Sequence, residues 1–79
     1  MRTPVEMPHY AADAETGLIL EWIKQPGDAI VRGEVIVEIE TDKANLNVEA
    51  MVGGVLDEIV RKDGEEVPVG EVIAYIREG

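Results

Sequence analysis

Apolar and polar residues alternate on both sides of the Asp42-Lys43 pair, and the two sides mirror each other. Counted outward from this pair, the matched apolar positions are Ile39 with Leu46, Val37 with Val48, and Val35 with Ala50. The matched polar positions are Glu40 with Asn45 and Glu38 with Asn47. This alternation predicts a hairpin of two antiparallel strands with one apolar and one polar face. A slip of one residue would pair apolar with polar positions, so the pattern also specifies the register.

A second pattern is an internal repeat, because the chain aligns with itself without a gap after a shift of 37 positions. The matched residues include Gly17 with Gly54, Glu21 with Glu58, Trp22 with Ile59, Gly27 with Gly64, and Gly33 with Gly70. Two copies are too few for a solenoid. The repeat therefore predicts two equivalent halves that share one core around a pseudo-two-fold axis.

Each copy of the repeat predicts a strand, a turn, a short extended piece, a second turn and a strand. The long strands are expected at 18–24, 35–40, 55–61 and 72–77, and the turns at 25–28, 31–34, 62–65 and 69–71. The apolar residues are mostly Val and Ile, and helical spacing is not sustained. The chain is therefore expected to be all-β, a flattened barrel or sandwich of short strands.

The hairpin pattern presents Lys43 to solvent at the tip of a stiff stem, and the repeat puts the chain terminus at the opposite end of the molecule. An unmodified lysine has a reference pKa of about 10.4 and is a poor nucleophile at neutral pH. Beside Asp42 it has no cationic neighbour to lower that pKa. Acylation by a separate enzyme needs only an accessible amine. The arrangement therefore indicates a carrier with a covalent cargo on Lys43.

Composition narrows the function further. The 79 residues predict a single domain over 1–79, and the net charge of −10 argues against nucleic acid and anionic membranes as partners. The chain has no cysteine, so disulfides and thiolate metal sites are excluded. His9 is the only histidine, and no phosphate-binding loop or metal-ligand spacing is present. No catalytic or metal-binding residues are expected.

Several motifs, in order along the chain, resemble the lipoyl domain of the dihydrolipoamide acyltransferases of 2-oxo acid dehydrogenase complexes. They are Met7-Pro8, Gly17, Trp22, Gly27-Asp28, Gly33, the segment Glu38-Ile39-Glu40-Thr41-Asp42-Lys43-Ala44, Val48-Glu49-Ala50, Gly54-Val55 and Val69-Gly70. The resemblance implies two four-stranded antiparallel sheets and lipoate in amide linkage on Lys43. It also implies that Asp42 and Ala44 help other proteins to recognise the lysine.

The same resemblance implies the partners. A lipoate ligase or lipoyl transferase would modify the lysine. A thiamine-dependent 2-oxo acid decarboxylase would load the acyl group, and a flavin-dependent dihydrolipoamide dehydrogenase would reoxidise the dithiol. The isolated domain is expected to be a monomer that catalyses nothing and binds neither nucleic acid nor membrane. Its expected location is the cytoplasm of a bacterium or archaeon, or the mitochondrial matrix of a eukaryote. The particular 2-oxo acid stays open.

Two other interpretations are open at this point. A biotin carboxyl carrier domain shares the fold, but its signature has methionine on both sides of the lysine, where this chain has Asp42 and Ala44. An unmodified lipoyl-like interaction module would lack the modified lysine altogether. The segment from His9 to Thr16 departs from the family pattern, and in the family this loop lies near the lysine hairpin and affects partner recognition.

Overall fold

The computed structural model describes residues 1–9, 15–41 and 44–78, and their regular structure is entirely β. The strands are β1 (Arg2–Glu6), β2 (Thr16–Trp22), β3 (Ala29–Ile30), β4 (Val35–Glu40), β5 (Asn45–Glu49), β6 (Gly54–Ile59), β7 (Glu66–Pro68) and β8 (Val72–Arg77). No helix in this part of the chain is long and apolar enough to span a membrane.

The strands form two four-stranded sheets in which every pairing is antiparallel. One sheet, called the terminal sheet here, has the order β1-β8-β6-β3, and the other, called the hairpin sheet, has the order β5-β4-β2-β7. Buried aliphatic side chains from both sheets form a single core between them. The predicted all-β fold of two four-stranded antiparallel sheets is confirmed.

The two sheets repeat each other in detail. In the hairpin sheet Ile19 pairs with Ile39, and in the terminal sheet Leu56 pairs with Ile76. The register becomes irregular directly after Ile19 in one pair and directly after Leu56 in the other. Strands β4 and β8 also have the same pattern of buried and exposed positions. The predicted pseudo-two-fold symmetry is therefore confirmed.

Strand β1 completes this symmetry, although the sequence repeat does not contain it. It pairs with β8 as β5 pairs with β4, so that Val5 opposite Ala74 corresponds to Val48 opposite Val37. The shift of 37 residues relates β2, β3 and β4 to later strands but cannot relate β1 to β5. The strand patterns set out above accordingly missed β1.

The predicted hairpin register is confirmed for the four pairs nearest the turn: Ile39 with Leu46, Val37 with Val48, Glu40 with Asn45, and Glu38 with Asn47. The fifth predicted pair, Val35 with Ala50, is wrong. Val35 pairs with Glu49, because a bulge between Val35 and Val37 accommodates the extra residue Ile36. The bulge lets Ile36 and Val37 both lie in the core, where neither is exposed to solvent.

Strands β2 and β6 end two residues earlier than predicted, at Trp22 and Ile59. After Trp22, the amides of Ile23 and Lys24 both donate to the carbonyl of Ile36, at 2.9 and 3.2 Å. Two successive amides that share one carbonyl cannot continue a regular ladder, so the strand stops there. The amides of residues 60 and 61 share the carbonyl of Ile73 in the same way.

Trp22 is almost fully buried. Its indole Nε1–H donates to the carbonyl of Arg61 at 2.7 Å, and its amide donates to Asp63 Oδ1 at 3.0 Å. A buried tryptophan needs a partner for its single polar atom, and here the turn after β6 supplies it. These two bonds hold that turn against the end of β2.

The chain ends and the hairpin lie at opposite ends of the barrel. Near the ends, the amide of Glu78 donates to the carbonyl of Met1 at 2.9 Å. Strand β1 leads away from this point, and Met7, which follows it, packs against Gly17 at the start of β2. The next residue, Leu18, pairs with Glu40 at the end of the hairpin strand. A five-residue strand, roughly 17 Å long, therefore separates the termini from the hairpin end.

Candidate functional site at the hairpin end

The base of the predicted lysine hairpin is closed by hydrogen bonds. Glu40 and Asn45 form the last strand pair. Beyond them the amide of Thr41 donates to the carbonyl of Ala44 at 2.9 Å, and the Thr41 hydroxyl donates to the same carbonyl at 3.1 Å. Asp42 and Lys43 are the two residues between Thr41 and Ala44, and both lie outside the described residues. The described part of the site is thus its closed base.

The stem below this base is anchored in the core. Strand β4 is an inner strand of the hairpin sheet and pairs with both β2 and β5. Ile39 and Val48 are buried, and Leu46 packs against the core from a half-buried position. At the base itself Thr41 is half-buried, whereas Ala44 is exposed. The hairpin sheet therefore ends in a firmly packed stem whose base is exposed at Ala44.

The surface beside the base is acidic. A shallow cleft next to it is lined by Thr16, Leu18, Glu40, Thr41 and Glu66. On the outer face of the same sheet, Glu21 pairs with Glu38 across β2 and β4. Within the described ranges none of these four glutamates takes part in an ion pair. Glutamates without a cationic partner among the described residues favour the approach of a cationic surface.

Among the described residues, the carboxylates with shifted pKa values lie in turns. The Val31 amide, followed by the Lys24 ammonium, lowers the pKa of Glu34 by hydrogen bonding to its carboxylate. A hydrogen bond from the Lys62 amide does the same for the pKa of Glu65. Both groups stabilise turns and neither lies at the hairpin. Among the described residues no group of three or more His, Asp or Glu could hold a metal ion.

Of the three predicted site residues, Ala44 lies at the hairpin base, while Asp42 and Lys43 fall outside the described ranges. Residues 10–14 of the divergent loop fall outside them as well. Thr41 is not among the predicted site residues, yet its hydroxyl bonds across the base. The available signal was a hydroxyl residue directly before the turn, since such side chains often bond nearby backbone groups.

Comparison with known proteins identifies the class. The model of the family described as "Biotin-requiring enzyme" matches residues 3–76. A solved structure, the lipoyl domain of the 2-oxoglutarate dehydrogenase complex from Azotobacter vinelandii, has 38% sequence identity and a TM-score of 0.79. The match covers 96% of this chain and 96% of that domain.

Curated relatives agree with this result. The dihydrolipoyllysine-residue succinyltransferase component of the Bacillus subtilis 2-oxoglutarate dehydrogenase complex is 43% identical over 95% of this chain. A mitochondrial dihydrolipoyllysine-residue acetyltransferase component of the Arabidopsis thaliana pyruvate dehydrogenase complex is 44% identical over 89% of the chain. The chain spans only 18% and 13% of the length of these two relatives.

The all-β barrel has a closed hairpin base at one end and the chain termini at the other, and its fold matches that of the solved lipoyl domain. The chain belongs to the biotin/lipoyl attachment family, as a lipoyl domain of the acyltransferase component of 2-oxo acid dehydrogenase complexes. Lipoyl domains carry lipoate covalently on a lysine, so the predicted cofactor and carrier role are confirmed.

Proposed function

We propose that Lys43 carries the lipoyl group, and that the domain, spanning 1–79, moves acyl groups and reducing equivalents between enzymes of a 2-oxo acid dehydrogenase complex. The observation that carries the proposal is the closed base between Thr41 and Ala44, with its bond of 2.9 Å from amide to carbonyl. Lys43 is one of only two residues that connect them. The closed base therefore fixes the chain on both sides of Asp42-Lys43.

The residues at this end fit the group. Attachment needs a lysine amine that a second enzyme can reach, and the neighbouring Ala44 is small and exposed. In the modification, Lys43 Nζ loses a proton and bonds to the carboxyl carbon of lipoate, from which an activating group leaves. Once attached, lipoate supplies a disulfide that can be reduced and acylated as a thiol ester. The chain itself contributes the tether, which raises the effective concentration of the carried group at each active site.

The acidic surface beside the hairpin supports a role in recognition for Asp42 and Ala44. A decarboxylase that binds this end would meet Glu40, Glu66 and the hairpin residues together. We expect Asp42→Ala to leave the fold intact and to slow reductive acylation, and Ala44→Leu to act in the same direction. Glu49→Ala, on the exposed part of β5, is the control and should react at the wild-type rate. Equal rates for all variants would remove the recognition role.

The partners we propose are a lipoate ligase or lipoyl transferase, a thiamine-dependent decarboxylase and a dihydrolipoamide dehydrogenase. The named relatives belong to 2-oxoglutarate and pyruvate complexes, so the relatives leave both acids open as substrates. Reductive acylation of the lipoylated domain by decarboxylases specific for different 2-oxo acids would assign the complex. The decarboxylase with the highest kcat/KM for the domain identifies the cognate acid.

The attachment site can be tested by intact mass. The chain is incubated with lipoate–protein ligase, ATP and lipoate, and we expect a gain of one lipoyl group. Lys43→Arg, which keeps the charge, should show no gain, whereas the control Lys62→Arg should be modified fully. Incubation with biotin ligase and biotin should leave the mass unchanged. A lipoyl group on Lys43→Arg would refute the assignment.

A further inference from the structure

The base of the hairpin contains one bond that the backbone does not require. The Thr41 amide already closes the base through the Ala44 carbonyl at 2.9 Å, and the Thr41 hydroxyl adds a second bond to the same oxygen at 3.1 Å. We propose that Thr41 is a positioning residue for lipoylation, and that its hydroxyl fixes the relative placement of Thr41 and Ala44, the residues that flank Asp42-Lys43. This inference rests on the proposed function.

Two hydrogen bonds to the Ala44 carbonyl oxygen constrain its position more tightly than a single hydrogen bond does. With the amide bond alone, the carbonyl of Ala44 can rotate about the single contact. The hydroxyl bond adds a second point of contact and holds Thr41 in one side-chain rotamer, which for a β-branched residue is already restricted. The peptide plane that follows Ala44 is then fixed relative to Thr41. Both attachment points of the connection are therefore defined.

The opposite end of the barrel supplies an internal comparison. There the amide of Glu78 donates to the carbonyl of Met1 at 2.9 Å, which is the equivalent backbone bond. The threonine at that end, Thr3, bonds through its hydroxyl to the carboxylate of Glu78 and not to the Met1 carbonyl. Among the described residues, only the lysine end adds a hydroxyl to this closing carbonyl. The extra bond thus occurs where a connection must be held.

Orientation matters for the modification step. Lys43 Nζ must approach the activated carboxyl carbon of lipoate within the ligase, where the C–N bond forms, the activating nucleotide leaves and the amine proton passes to a base. Misplacement of a reacting group lowers the rate of such a step even when binding is retained. Loss of the Thr41 hydroxyl should therefore lower kcat for lipoylation more than it raises KM.

The test uses three variants of the 79-residue chain. Thr41→Val replaces the hydroxyl with a methyl group of similar size, and we expect kcat to fall about fivefold while KM changes less than about twofold. Thr41→Ser keeps the hydroxyl and should remain within about twofold of wild type. Thr3→Val removes the hydroxyl at the other end and should be modified like wild type. Each rate is compared with the unfolding midpoint of the same variant.

The outcomes separate this inference from the proposed function. If wild-type chain is not modified on Lys43, the proposed function fails and the inference falls with it. If wild type is modified and Thr41→Val reacts at the same rate, the inference alone is overturned. It is also overturned if Thr41→Val regains the wild-type kcat at temperatures well below its thermal unfolding midpoint, because the hydroxyl would then only stabilise the fold. A loss that persists there, with rescue by Thr41→Ser, supports it.

Discussion

The two sheets have the same strand arrangement, but their outer faces differ in charge compensation. On the terminal sheet Arg2 bonds to Asp57 at 2.8 Å and to Glu58 at 2.6 Å, and Arg77 bonds to Asp57 at 2.5 Å. The Arg2 guanidinium also lies 4.2 Å from the centre of the Tyr75 ring. This network joins β1, β6 and β8, so it fastens the strands that begin and end the chain.

The equivalent positions on the hairpin sheet carry different residues. Arg2 corresponds to Asn45, Arg77 to Glu40 and Tyr75 to Glu38. Asp57 corresponds to Leu20, and Glu58 to Glu21. This set contains no cation and three carboxylates. The outer face of the terminal sheet, beside the termini, carries ion-paired residues. The outer face of the hairpin sheet, beside the lysine hairpin, is acidic. The two ends of the molecule therefore differ in charge, which fits the recognition role proposed for the hairpin end.

The largest effect we expect comes from the equivalent glycines Gly54 and Gly17. A Cβ on Gly54 would lie 2.2 Å from the carbonyl oxygen of Arg77, and its φ of +154° disfavours other residues. Gly54→Ala should therefore lower the free energy of unfolding by about 3 kcal/mol or more. A Cβ on Gly17 would meet the side chain of Met7 at 2.7 Å, and this side chain can shift. Gly17→Ala should cost about 1–2 kcal/mol.

Urea unfolding of both glycine variants provides the measurement. The order of the two losses is the informative result, since the backbone at the terminal end cannot move away but a methionine can. A larger loss for Gly17→Ala would contradict this account of the two ends.

The next largest change in stability is expected from the ion pairs that Asp57 forms with Arg2 and Arg77. Asp57 is only 19% exposed and accepts from both Arg2 and Arg77. Asp57→Ala leaves both arginines without this partner, and we expect a loss of about 1–2 kcal/mol. Thermal unfolding at low and high salt would measure the loss, with Glu49→Ala as a control that should cost little. No loss for Asp57→Ala would show that the network does not fasten the terminal strands.

Smaller changes in stability, of opposite sign, are expected for Glu21 and Glu58, which occupy equivalent positions in the two sheets. Glu21 pairs with Glu38 across the strands, so Glu21→Gln should relieve repulsion and stabilise by about 0.3–0.5 kcal/mol. Glu58→Gln weakens the bond from Arg2 and should destabilise slightly. Both changes should shrink at high salt. The same sign for both variants would mean that the two faces do not differ as described.

The smallest expected effect is a pH dependence of stability that arises from two turn carboxylates. The pKa values of Glu34 and Glu65 are lowered in the folded chain, first by hydrogen bonds from the amides of Val31 and Lys62. Their stabilisation is therefore complete above the unfolded pKa, which is about 4.3 for glutamate, and is lost as pH falls through the folded pKa. Acid unfolding of Glu34→Gln and Glu65→Gln should show a weaker dependence below that value. An unchanged pH profile would contradict the assignment.

Much of the fold was predictable because period-2 patterns and turn residues act locally. Strands β4 and β8 were predicted with correct bounds, and Gly27, in a turn with Pro26, has the positive φ of 96° that a type II turn requires. Features that depend on contacts distant in sequence were missed. The bulge at Ile36 follows from core packing.

Other features that the sequence did not predict also depend on contacts between residues distant in sequence. Strand β1 was missed because the repeat that revealed the other strands does not include it. The bonds that Arg2 makes to Asp57 and Glu58 join residues more than fifty positions apart, and no local pattern indicates them. At the candidate site the hairpin base and its register were predicted, whereas the second bond from Thr41 was not, although a hydroxyl residue directly before the turn indicates it.

The most direct test of the account is to exchange the two residues of the connection, with Asp42→Lys combined with Lys43→Asp. This exchange keeps the composition and the net charge and moves the amine by one position. Lipoylation by the ligase is followed by intact mass, and folding by thermal unfolding. We predict a folded chain that gains no lipoyl group. Efficient modification of the displaced lysine would contradict the claim that the closed hairpin base sets the position of the amine.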